Sequence, residues 1–279
     1  MDPARTRNRL RALGALRLPK RRDERLALGM LALCVLGAGL VLFDEGQAYG
    51  QGPESGFGSS VVALGPLFAQ GARAPGSPLT LREIYQHARV VWRDAARGAG
   101  ARLARRDELH AALVTAAGRC QRVDLLELRR IVAIESGANL SVGVNRSGYA
   151  GLFQMGPAAC ADVGTTWEEV KNDWRKNVEY GARFVELVHQ RLGDAIARRP
   201  ALRGVEIDSF VLYLGHQQGV QGAVALLEQV RQGGRAPVSP NQRNNLLPLL
   251  RVLGEHVPTE LEYFVYVLGA FDEVAAAVR

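Results

Sequence analysis

Two kinds of apolar pattern divide this chain. From Leu26 to Phe43, eighteen residues run without a charge, whereas from Leu81 onward apolar and polar positions recur with a helical period. The second pattern predicts a series of amphipathic helices. The clearest follows Asp124. Asp124 and Glu127 have capping-box spacing, and Val123 is placed to staple against Leu128. Leu125, Leu128 and Val132 fall on one face, Glu135 continues that row, and Gly137 stands where a left-handed cap would end it. Val178, Ala182, Val185, Val188 and Leu192 form another apolar face, ended by Gly193. Asp208 is placed to cap a helix through Phe210, Val211 and Leu214. A further helix runs from Gly219 to Val230 and closes at Gly233-Gly234. Thr259 and Glu262 repeat the capping-box spacing before Tyr263 to Val267. Ile84, His87, Val91 and Asp94 share one stripe of an earlier helix. Strand signals are scarce, with a small hairpin expected near Ser141 to Tyr149. The pattern predicts a mostly α fold.

The distribution of charge changes how the first pattern is read. Of 35 Lys and Arg, nine lie in residues 1–25, against three of the 28 acids, so the formal +7 charge is concentrated there and the body is nearly neutral. That argues against a basic nucleic-acid face and for a basic cytoplasmic flank before a membrane segment. The run 26–43 is just long enough to span a bilayer and is longer than an ordinary signal core. Arg-rich on one side and Asp44-Glu45 on the other, it predicts an anchor with the body outside the inner membrane. Gly46-Gln47-Ala48 offers small residues for cleavage, after which the body would be secreted. Residues 44–80 are rich in Gly and Pro and read as a tether, and residues 81–114 as a helical extension before the main domain at 115–279.

The candidate chemistry lies at Glu135. It falls on the apolar side of its helix and at the negative end of the helix dipole, and both effects favour the protonated form. Such a carboxyl suits a general acid. From Ser136 to Ala161 there is no Asp or Glu. Glycosidases with two catalytic carboxyls flank the bond with both. A sugar-cleaving site with one acid must take its nucleophile from elsewhere, and the substrate is the obvious source.

Glu135-Ser136, then Ser147-Gly148-Tyr149-Ala150-Gly151-Leu152-Phe153-Gln154 with Pro157, form a pair of elements in fixed order. Gly215-His216-Gln217-Gln218-Gly219 follows, and then Pro258-Thr259-Glu260 with Phe264-Val265. This series resembles the catalytic domain of soluble-type lytic transglycosylases, relatives of goose-type lysozyme, over roughly residues 115–275. The resemblance implies a lysozyme-like α+β domain that acts on peptidoglycan glycan strands in the periplasm without a cofactor. It implies Glu135 as the catalytic acid, with Ser136, Asn145, Tyr149, Gln154, His216 and Gln217 contacting substrate. The chain departs from the family in several places. The turn between Asn139 and Val142 carries an extra residue. Asn145 stands for a Ser, Gly156 for a Met, and His216-Gln217 for Tyr-Asn. Phe264 stands for a Tyr and lacks its hydroxyl.

The implied reaction forms 1,6-anhydro-muramyl ends. Asp162, Glu168 and Glu169 are the nearest later acids, and recruiting water through them would make the protein a hydrolytic muramidase instead. A non-catalytic glycan-binding or scaffold component of an envelope machine is the reading from another class. Cys34 falls in the apolar run. Cys120 and Cys160 are either a disulfide or two buried thiols. The five His residues have no metal-ligand spacing. Tyr213, one turn before Gln217, reads as a core aromatic, and Trp167 and Trp174 as packing residues.

Overall fold

A computed structural model describes residues 79–253 and 256–278. The tail 1–25 and the segment 26–43 lie outside the described residues, as does the tether 44–80 apart from its last two residues. The described chain is mostly helical. Its α-helices are α1 (Leu81–Arg105), α2 (Asp107–Ala117), α3 (Leu125–Ser136), α4 (Pro157–Asp162), α5 (Trp167–Asn172), α6 (Trp174–Ala197), α7 (Ser209–Arg231), α8 (Pro240–Asn245), α9 (Leu247–Leu253) and α10 (Glu260–Ala277). Among the described residues, no helix is long and apolar enough to cross a membrane.

Local chemistry sets the helix ends. Asp124 accepts from the Glu127 N–H at 2.8 Å, and Glu127 reaches back to the Asp124 N–H at 2.9 Å. Thr80 with Glu83 and Thr259 with Glu262 form the same reciprocal caps at α1 and α10. Asp208 accepts from Phe210 and Val211 at the start of α7. Gly219, at φ 70° and ψ 159°, breaks α7 at the residue where the sequence places a second helix.

Helix α3 packs against α1, α2 and α10. Leu128, Ile131, Val132, Ala133 and Ile134 are all buried, a wider face than the expected stripe. Arg130 is buried with them and donates through Nη1 to Ser209 Oγ at 3.0 Å, tying α3 to the start of α7. The buried row of α1 is Ile84, Ala88, Ala96, Ala99 and Leu103, one row over from the His87–Val91–Asp94 stripe. Alanines carry little weight in a hydrophobicity reading, yet they let α10 approach closely. Gly269 does the same from the other side: a Cβ there would lie 2.6 Å from the Tyr85 carbonyl oxygen. Tyr85 donates to Asp272 at 2.7 Å, and Arg89 pairs with Glu273 at 2.9 Å, along the same seam. Residues 81–114 therefore share one core with the rest, through Ile84, Leu103, Leu109 and Leu113.

One local expectation is corrected, and one open alternative is decided. The hairpin near 141–149 is reduced to isolated bridges, Val144 with Ala150 and Ala150 with Met155. Asn145 explains this, because its side-chain oxygen accepts the Ser147 and Tyr149 N–H groups and makes a turn in place of a ladder. Cys120 and Cys160 are both free thiols. Cys120 points its sulfur at the Ala116 and Ala182 carbonyls, 3.5 and 3.8 Å away.

The α1–α10 seam leaves no room for a side chain at Gly269. Gly269→Val is expected to lower the urea midpoint, through a loss of about 1–3 kcal/mol of stability, with little change in slope. Gly143 has open space around its Cβ position, so Gly143→Ala is the control, with a change within about 0.5 kcal/mol. Equal midpoints for both variants would contradict the close approach.

Candidate functional site

Glu135 occupies the last turn of α3. Gly137, at φ 61°, ends that helix; its N–H bonds the Ala133 carbonyl at 3.0 Å, and the Ala138 N–H bonds Val132 at 3.2 Å. From α1, Arg102 Nε donates to the Gly137 carbonyl at 2.5 Å. The end of the helix is thus fixed on both sides.

Glu135 keeps partial exposure as a residue, but its carboxyl is crowded by protein. Burial pushes its pKa up to about 7, and a hydrogen-bonding interaction with the Tyr213 hydroxyl opposes that rise only in part. Among the described residues, no second carboxylate and no cation contributes to the shift. Tyr213 is buried, and burial first and the Glu135 charge second push its phenol well up. Tyr263 is pushed up to about 12, mainly by burial and also by the Glu135 charge. Its hydroxyl donates to Gln217 Oε1 at 3.0 Å and accepts from Gln218 Nε2 at 2.6 Å.

The glycine loop is built around two amides. Asn145 Nδ2 donates to Gln154 Oε1 at 2.8 Å, and Gln154 Nε2 donates to the Gly151 carbonyl at 2.7 Å. Gln154 adopts φ 44°, a left-handed conformation that non-glycine residues enter at a cost of about 1–3 kcal/mol. A second clamp comes from Asn177 on α6, which is fully buried. Its Oδ1 accepts the Phe153 N–H at 2.9 Å, and its Nδ2 donates to the Ala150 carbonyl at 3.0 Å. Gly151, at φ 75°, leaves the space that Asn177 fills.

His216 supports the loop from α7. Its Nε2 lies 3.1 Å from the Phe153 carbonyl, which can only accept, so Nε2 carries the hydrogen. The ring meets Phe184 and Phe153 edge-on at 5.7 and 6.5 Å. Burial pulls its pKa down to about 4, so the ring is neutral at physiological pH.

Several residues singled out from the sequence are therefore engaged within the protein. His216 holds the loop, and Ser136 Oγ donates to the Val132 carbonyl of its own helix at 2.8 Å. Gln217 is bound to Tyr263. Asn145 and Gln154 hold each other, each with one amide N–H left over. Tyr149 is 47% exposed, and its ring covers Gly156, where a Cβ would lie 2.9 Å from it. Trp167 and Trp174 carry Lys171 and Arg175 over their rings. Sequence reasoning left Tyr213, Tyr263 and Asn177 out of the site. Tyr213 had a usable signal, since it shares a helix face with Gln217 at i and i+4. Tyr263 was hidden beside Phe264, the position that the sequence singled out, and Phe264 is buried against Phe210.

The three later acids are all paired. Asp162 meets Arg191 at 2.8 and 3.3 Å, Glu168 meets Lys171 at 2.7 Å, and Glu169 meets Lys176 at 2.7 Å. Two surface clefts are bordered by residues that bond to elements of the site. One, of about 460 Å³, is bordered by Phe184, Val188, Gln218 and Gly219; the other, of about 470 Å³, lies at the end of α1. Glu135 lines neither, but the first reaches its surroundings through Gln218, which bonds Tyr263. Compared with protein-family models, curated proteins and solved structures, the chain finds no match.

The raised acidity of Glu135 has a sign that can be measured. Its folded pKa, about 7, lies above the ordinary 4.5, so the folded protein holds the extra proton between these values. Stability is fully present below the lower value and falls as pH rises through this window. Glu135→Gln removes that loss. The variant should match the wild type in denaturant near pH 4 and exceed it by on the order of 2 kcal/mol at pH 8, allowing for residual solvent screening. A difference that does not change with pH would show that the carboxyl is not desolvated.

Proposed function

We propose that the protein is a peptidoglycan lytic transglycosylase. On this reading it has a lysozyme-like domain and cleaves the β-1,4 bond between N-acetylmuramic acid and N-acetylglucosamine in the periplasm. The observation that carries the reading is Glu135: a buried carboxyl with a pKa of about 7, a phenol beside it and, among the described residues, no second carboxylate acting on it.

A carboxyl of this kind is protonated in a large fraction of molecules at neutral pH and gives its proton to the glycosidic oxygen. As the bond breaks, the acetamide oxygen of the substrate meets the oxocarbenium-like carbon from the opposite face. Glu135, now a carboxylate, then takes the proton of the C6 hydroxyl, whose oxygen closes onto C1 and displaces the acetamide. No water is consumed, and the acid is regenerated. Tyr213 steadies the carboxylate between the two steps through its hydroxyl. The remaining N–H groups of Asn145 and Gln154 are held at fixed positions for the sugar amide, and the exposed ring of Tyr149 offers a stacking face.

Two observations favour this reading over its rivals. A hydrolase needs a base to activate water, and Asp162, Glu168 and Glu169 each hold a cation instead. A scaffold gains nothing from a carboxyl whose ionisation destabilises the fold, whereas an acid catalyst requires one.

Glu135→Gln is expected to remain folded and to lose about a hundredfold to ten-thousandfold in release of soluble muropeptides from sacculi. Mass spectrometry of the wild-type products should show ends one water lighter than reducing ends and resistant to borohydride. Turnover should fall as pH rises above about 7, where the acid ionises. A pool of reducing ends alone would make the protein a muramidase, and unchanged turnover in the variant would remove Glu135 from catalysis.

A further inference from the structure

Several arginines along the helix faces meet a carboxylate. On α1, Arg89 and Arg93 share Glu273, and on α6 Arg183 and Arg191 pair with Glu179 and Asp162. The end of α1 differs. Arg102, Arg105 and Arg106, with Gly98 and Ala101, line the groove of about 470 Å³. Among the described residues, no carboxylate lies within ion-pairing distance of these three. Arg102 spends its Nε on the Gly137 carbonyl, which orients its guanidinium beside Gly98 and leaves the terminal nitrogens for another partner. Arg105 is exposed and Arg106 half-buried.

The C-termini of α1 and α3 meet near this groove, and a helix C-terminus favours a basic residue by about 0.3–1 kcal/mol. That accounts for one arginine at each end. It does not account for three guanidinium groups around one cavity, which repel one another until an anion enters. The position is informative too. Arg102 is anchored on Gly137, two residues beyond Glu135, so the groove lies beside the end of the helix that carries the acid.

We infer that this groove is an anion subsite for the carboxylates of the peptide stems borne by the glycan. The inference rests on the proposed substrate. Arginine forks match carboxylates in bidentate geometry, and three of them suit a stem with more than one carboxylate. The groove would then favour stem-bearing strands over bare ones without touching the reacting atoms.

Binding to the full chain carrying Glu135→Gln tests this without turnover. Arg105→Ala with Arg106→Ala spares Arg102, which braces the helix end, and circular dichroism checks the fold. The probes are soluble glycan chains with stems, the same chains with stems removed, stem-bearing chains with amidated carboxylates, and anionic phospholipid vesicles. The expected result is about a tenfold loss of affinity for stem-bearing chains, a shallower salt dependence, and no change for stripped or amidated chains. Equal loss on stripped chains, no loss at all, or no binding of stem-bearing chains by the parent would overturn the assignment. Loss confined to vesicles would give the groove to a membrane surface. Separately, if the wild type releases no muropeptides while the stem-dependent, arginine-dependent binding holds, the subsite stands and the lytic reading falls.

Discussion

A carboxyl withdrawn from water without a countercharge is the constraint that organises this molecule. Glu135 is ionised only at the expense of the fold, and much of the surrounding architecture serves to keep it so placed. Three helices cover the one that carries it. Gly137 stops that helix one turn past the core, so the acid sits at the boundary between protein and solvent and not in the interior. Arg102 comes close enough to brace the helix end, yet it binds the backbone carbonyl of Gly137 and does not neutralise the acid. Had its guanidinium met the carboxylate, the acidity would have been pulled down and the proton lost at neutral pH.

The glycine loop follows a different logic. It has almost no regular structure to hold it, and its strained Gln154 would relax in a free peptide. Buried polar groups supply what strands would otherwise give. Asn177 satisfies one N–H and one carbonyl of the loop from a helix with an apolar face, and His216 satisfies another carbonyl from a second helix. Because such groups are expensive to leave unpaired in a low-dielectric setting, the loop has one favourable seat. Its side chains are ordered before any ligand arrives, which reduces the entropy lost on binding.

Much of this was legible in the sequence where a signal is local. The caps at Asp124, Asp208 and Thr259, the stop at Gly137 and the break at Gly219 all follow from short-range chemistry, and the helices they bound are present. Glu135 could be placed at the end of its helix on the same grounds. What resisted reading depends on partners far along the chain. The alanine row of α1 has meaning only against Gly269. A lone Asn177 on an apolar helix looks like a boundary residue until the loop folds over it. His216 sits at a motif position that suggests a ligand contact, but its environment is the underside of Phe153. Two cysteines on either side of a site leave a bridge and two thiols equally open, and in the fold both are free.

The seam between the first and last described helices has a kinetic side. Tyr85 bonds Asp272 across 187 positions, and Arg89 pairs with Glu273 across 184. Contacts this distant in sequence close late, because the chain between them must be gathered first. Tyr263, which helps surround the acid, arrives on the same last helix. A growing polypeptide that has not yet released residues 260–277 would hold Glu135 incompletely covered, with less of the burial that raises its pKa. The chemistry proposed for this protein would therefore switch on as one of the last events of folding.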